Sequence, residues 1–82
     1  MNHAVNLIIV VQSGWVLTGE VTETPDRYIV TNGSVIRCWG TRAGLGQLAV
    51  SGKQPETELD PFGYGEVPKH SVLFTIRLKA AL

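Results

Sequence analysis

Three turn signals cut the first half of this chain into pieces that suit β-strands and little else. Ser13-Gly14, Thr24-Pro25-Asp26 and Asn32-Gly33 each combine residues that favour tight reversal. Before the first lies Ala4 to Val11, continuous and β-branched, as expected of a strand buried on both faces. Trp15 to Thr22 alternates instead: Trp15, Leu17, Gly19 and Val21 share one face, and Val16, Thr18 and Glu20 share the other. Trp15 therefore reads as core. Gly19 inside a strand predicts a bulge or the sharp bend of a small barrel's corner. Asn32-Gly33 is the strongest short hairpin signal, since both residues tolerate positive φ. It predicts two strands, Arg27 to Thr31 and Ser34 to Trp39, joined by a two-residue turn.

After Gly40 the period changes. Leu45, Leu48 and Ala49 follow helical spacing, with Thr41 as a candidate N-cap and Gly52 as the stop. Gly44 and Gly46 weaken such a helix by roughly 1 kcal/mol each relative to alanine. About two turns, held by packing on the sheet, are expected. Residues 53–69 contain Pro55, Pro61, Pro68, Gly63 and Gly65 and read as a long loop, functional, disordered or an arm around a neighbour. Val72 to Leu78 is a last strand, and 79–82 a low-information tail, native or appended. The sum is mostly β: one domain over 1–82, a five-stranded SH3-like or Sm-like barrel with one short helix and a long Pro/Gly-rich loop. That analogy carries no function.

The chain has 82 residues, and a fold of that size buries only about 60% of its unfolded surface. A single cysteine, Cys38, excludes an internal disulfide and suits a reducing, cytoplasmic setting. With only His3 and His70 beside it, no four-ligand zinc site can form within one chain, so neither metal nor cofactor is expected. The longest opening apolar run, Leu7 to Val11, suits neither a signal peptide nor a membrane helix. Self-association remains the obvious support for so small a core, which predicts a homo-oligomer. Formal net charge is zero, against bulk binding to nucleic acid. The charge is nonetheless segregated. Residues 27–53 carry Arg27, Arg37, Arg42 and Lys53 and no acid, while 54–68 carry Glu56, Glu58, Asp60 and Glu66 and no base. This permits a local anion site, or complementary contacts between subunits.

The block Asn32-Gly33, Arg37, Trp39-Gly40, Leu45-Gly46-Gln47-Leu48-Ala49 and Gly52, behind an early hairpin with Gly14 and Gly19, resembles a family of small uncharacterised proteins from phages and prophages. The outline extends over about residues 13–78 and is firm over 32–52. Val35, Ile36 and Cys38 stand where that family carries more aromatic and basic residues, and the Pro-rich segment is this chain's own. The resemblance implies a small β fold and a mobile-element origin. It brings no established activity.

Each candidate site has a plainer reading beside it. Arg37 and Trp39 share a face, and a Trp wall with Arg37 or Arg42 suits a nucleotide-type anion. Trp39 also suits closing a barrel end or a subunit interface, and this is the stronger reading. Thr41 and Arg42 lie in a glycine-flanked turn before a helix, which offers N–H groups to an anion. The turn lacks the lysine of a phosphate-binding loop and reads first as an ordinary connection. Cys38 has no base in its sequence context and reads as a buried small hydrophobe. Glu56, Glu58 and Asp60 read as a solvated acidic loop or a partner for a neighbour's arginines, and His70 as a surface turn residue. Phe62 and Tyr64, in Phe-Gly-Tyr-Gly, suit a flap over a ligand and an anchor in an apolar slot equally.

No spacing marks a nucleophile with its base, an activated metal or paired catalytic carboxylates. The sequence therefore points to a non-enzymatic binding module that captures a small anionic ligand at a subunit interface through Arg37, Trp39, Thr41, Arg42, Phe62 and Tyr64. The alternatives are an interaction module for a host protein, with no small ligand, and a single-stranded nucleic-acid binder.

Overall fold

Ile8 and Ile9 are neighbours in sequence and both are wholly buried. They belong to β1 (Val5–Val11), and since strand side chains alternate, the sheet must be covered on both faces. The computed structural model, which describes residues 4–82, adds β2 (Val16–Glu23), β3 (Arg27–Cys38), α1 (Leu45–Ser51), β4 (Glu58–Pro68), a 3-10 turn over Lys69–Ser71 and β5 (Val72–Arg77). All pairings are antiparallel, in the order β4-β3-β2-β1-β5. That order is linear, so the sheet is open, with β4 and β5 at its edges. The expected barrel closure is not made by strand pairing among the described residues.

On one face Ile8 and Ile36 pack with Leu48 and Ala49 of α1 and with Leu78. On the other, Ile9, Val11, Val21, Val30 and Val67 form a second cluster, with Leu17 and Tyr28 against it. The helix exists because Leu45, Leu48 and Ala49 supply one apolar stripe. It begins later than Thr41. Gly44 breaks the chain at φ 74° and stands at the N-cap, and the Thr41 hydroxyl donates to the Gly44 carbonyl, at 2.8 Å. Gly52 ends the helix as expected, its N–H bonding the Leu48 carbonyl at 2.9 Å.

Asn32-Gly33 is not a hairpin turn. β3 runs through it as one 12-residue strand. Asn32 takes φ 50°, and Asn32 and Gly33 together stand opposite the single residue Gly19, between the pairs Thr18–Ser34 and Glu20–Thr31. This is a β-bulge, which asks for the same positive φ that a tight hairpin turn does. The Asn32 amide donates to the Glu20 carboxylate across the bulge. Because one residue is inserted, Val30 and Ile36, which share parity, face opposite clusters. β4 answers with an extra residue of its own, Phe62, between the pairs Gly33–Gly63 and Ser34–Pro61.

The segment expected to be a long loop is mostly β4. Its prolines hid it, yet Pro61 and Pro68 are tolerated because β4 is an edge strand with β3 on one side only. Two further expectations fail. Trp15 is 57% exposed, because it precedes the first β1–β2 pair, Val10–Val16, and lies beyond the packed sheet. Cys38 is an exposed free thiol, since the register shifts between Ile36 and Cys38 and carries it off the core face. His3 lies outside the described residues.

Candidate functional site

Two turns and the 3-10 segment meet at one end of the sheet. The first turn is tight: the Gly14 N–H bonds the Val11 carbonyl and the Val11 N–H bonds the Trp15 carbonyl, both at 3.0 Å. It presents Trp15 at the mouth of β2. In the second turn the Thr24 hydroxyl accepts the Arg27 N–H at 3.2 Å, fixing the loop that carries Asp26. The 3-10 segment is tied to both turns, the Gln12 N–H bonding the Ser71 carbonyl at 2.8 Å and the Lys69 N–H the Asp26 carbonyl at 3.0 Å.

Arg27 is held as a fork. Its Nη2 and Nε donate to the Asp26 carboxylate at 2.9 and 3.2 Å, and its Nη1 to Glu66 Oε1 at 2.6 Å. The Tyr64 hydroxyl donates to Glu66 Oε2 at 3.2 Å. The Arg27 hydrogen bond, then that of Thr24, holds the Asp26 carboxyl below its ordinary range. Arg27, then Tyr64, does the same for Glu66. Desolvation, then the Glu66 charge, pushes the Tyr64 phenol up. These groups are solvated, so the network adds little stability and serves mainly to fix geometry.

Around this frame lie two hollows that share Glu66 and Pro68. One, of about 410 Å³, is lined by Asp26, Arg27 and His70. The other, of about 440 Å³, is walled by Val11, Trp15, Leu17 and Val67, with Gln12, Ser13 and Ser71 at its polar rim. An exposed tryptophan beside an apolar hollow with a fixed charged border is what a recognition site for a mixed apolar and polar ligand requires.

The residues singled out by sequence do not converge there or anywhere else. Thr41 and Arg42 line a separate hollow of about 520 Å³ with Cys38, Gly40, Gln54, Pro55 and Glu56. Beside it the Thr57 hydroxyl donates to the Trp39 carbonyl at 2.6 Å and accepts the Gln54 N–H at 2.9 Å, tying the end of β3 to the segment before β4. The N–H groups of Arg42 and Ala43 are already taken by the Gln47 side-chain carbonyl, at 3.2 and 3.0 Å. Any anion would be met there by side chains rather than by free backbone. Trp39 is 42% exposed. Arg37 lies outside that hollow and pairs with Asp60 at 3.2 Å. Phe62 is 39% exposed, and its ring lies where a side chain on Gly33 or Gly65 would have to go. Tyr64 belongs to the Arg27 network at the other site. Among the described residues no group of three or more His, Cys, Asp or Glu is placed to hold a metal. No helix among them is long and apolar enough to cross a membrane.

Sequence reasoning passed over Trp15, Arg27 and Glu66. The available signal was Trp15 directly after a turn, where strand alternation does not guarantee burial. No protein-family model matches the chain, and no curated protein or solved structure is detectably similar to it.

Proposed function

We propose that this protein is a non-enzymatic, self-associating binding module that captures a segment of another protein in the hollow beside Trp15. The observation that carries this is the 57% exposure of Trp15 against an apolar wall whose border is fixed by Arg27. Tryptophan in such a setting is the typical energetic anchor of an interface. Glu66 lines this hollow and Asp26 and Arg27 line the one beside it, so the three leave one negative charge at the border, which favours a segment with a basic residue next to an apolar one. The strand order and the 3-10 turn between β4 and β5 support a sheet that curls toward an SH3-like barrel. A mobile-element origin rests on the block from Asn32 to Gly52. The test is selection from a random displayed-peptide library on wild type and on Trp15→Ala. An apolar-plus-basic consensus that disappears with Trp15→Ala is expected; no enrichment, or a consensus indifferent to the substitution, overturns the reading.

A second reading keeps the small anionic ligand at Thr41 and Arg42. It is favoured by one observation: the Arg42 guanidinium borders a hollow of about 520 Å³ and has no ion pair among the described residues. Native mass spectrometry of gently purified protein tests it. A retained mass that is lost in Arg42→Ala supports it, and a bare chain counts against it.

A further inference from the structure

The two edges of the sheet are built in opposite ways. β4 carries the usual protections against edge-to-edge pairing: Pro61, Pro68, the bulge at Phe62, and the charges of Glu58, Asp60 and Glu66. β5 is far less guarded: Val72-Leu73-Phe74-Thr75-Ile76 has no charge, proline or glycine, and its one irregularity is the extra residue Leu73 between the pairs Val10–Phe74 and Val11–Val72. Leu73 is 60% and Phe74 51% exposed, and β5 has no second strand beside it among the described residues. An edge of this kind is a ready template for pairing with another strand.

The register says which backbone groups are available. The Leu78 N–H bonds the Asn6 carbonyl at 2.9 Å, one step beyond the Leu7–Arg77 pair. Antiparallel ladders alternate, so Phe74 and Ile76 also direct their N–H and C=O groups to β1, and those of Thr75 and Arg77 point outward. A two-fold axis through Thr75 would pair each Thr75 with its copy in a doubly hydrogen-bonded rung. Phe74 then faces the partner's Ile76 on the helix side of the sheet, an aromatic–β-branched pair of the favourable kind. Arg77 of each copy then lies at the other's irregularity around Leu73, and no like charges meet.

We infer that β5 pairs antiparallel with β5 of a second copy of this chain about a two-fold axis at Thr75, making one continuous ten-stranded sheet. The inference rests on the self-association proposed above and gives it a surface. The occupant is a second copy because the strip is self-complementary in this register, as an isologous contact must be.

Sedimentation analysis of wild type, Thr75→Pro and Thr75→Lys, with amide exchange read residue by residue, tests it. Proline at 75 removes an outward N–H and leaves the β1 ladder whole, and lysine there is an ordinary edge guard. Wild type is expected at twice the 8.9 kDa chain mass, and both variants at the single mass. Amides of Thr75 and Arg77 should be protected in wild type and lose protection in Thr75→Lys, while Phe74 and Ile76 stay protected in both. A wild type that is monomeric throughout overturns both this interface and the self-association, leaving the edge to a different protein. A wild-type oligomer unaffected by either variant, with Thr75 and Arg77 exchanging freely, overturns the β5 interface alone.

Discussion

Phe62 and Gly33 make one unit. A Cβ on Gly33 would sit 2.4 Å from the Phe62 ring and 2.9 Å from Val30, so Gly33→Ala must push the ring off its glycine floor. It should cost about 1–3 kcal/mol, the usual range for overpacking. Adding Phe62→Leu should recover part of the loss, and urea midpoints of the two single variants and the double variant measure this. Gly40 is held more rigidly. Its Cβ would meet the backbone of Glu56 at 2.4 Å, and its φ of 66° disfavours any side chain. Gly40→Ala should therefore cost more than about 2 kcal/mol. Gly46 is the opposite case, lying within α1 with open space around it. Gly46→Ala should raise stability by roughly 0.5–1 kcal/mol, because alanine loses less backbone entropy in a helix. Thermal midpoints of the two variants should move in opposite directions from wild type.

At the scale of elements, Arg27 joins the β2–β3 turn to β4 through Asp26 and Glu66. Both carboxyls have folded-state pKa values below their ordinary ones. Their contribution is present above the unfolded carboxyl range, at about pH 4, and is lost as pH falls through the depressed folded values. Arg27→Met should be slightly less stable than wild type at neutral pH, with the deficit closing as pH falls from about 4 through the depressed carboxyl values. A deficit of constant size in urea titrations across that range would contradict the pairing. The elements themselves were unevenly legible. β1, β2, α1 and β5 follow from apolar period, as the runs Leu7–Val11 and Val72–Ile76 show. β4 was hidden because an edge strand needs no apolar alternation and admits Pro61 and Pro68. The break within β3 was misjudged because positive φ at Asn32 serves a turn and a bulge alike. The site was less legible still. Trp15 comes together with Arg27 and Glu66 only through the path of β4, which was itself unread.

Over the whole molecule, β1 serves both cores at once through Ile8 and Ile9, whereas β3 passes from one to the other along its length: Val30 lies in the cluster around Ile9, and Ile36 in the one beneath α1. Two separate apolar clusters would ordinarily allow two separate meltings. Here neither can loosen without disturbing the bulge at Asn32-Gly33, which sets the facing of both ends of one strand. Heating should therefore meet a single cooperative transition, with calorimetric and van't Hoff enthalpies in agreement. Two resolved transitions would mean that the clusters melt apart. A change of one residue in length between Val30 and Ile36 turns one cluster inside out, so an insertion or deletion in this stretch of β3 should be inherited only in company with a second that restores its length.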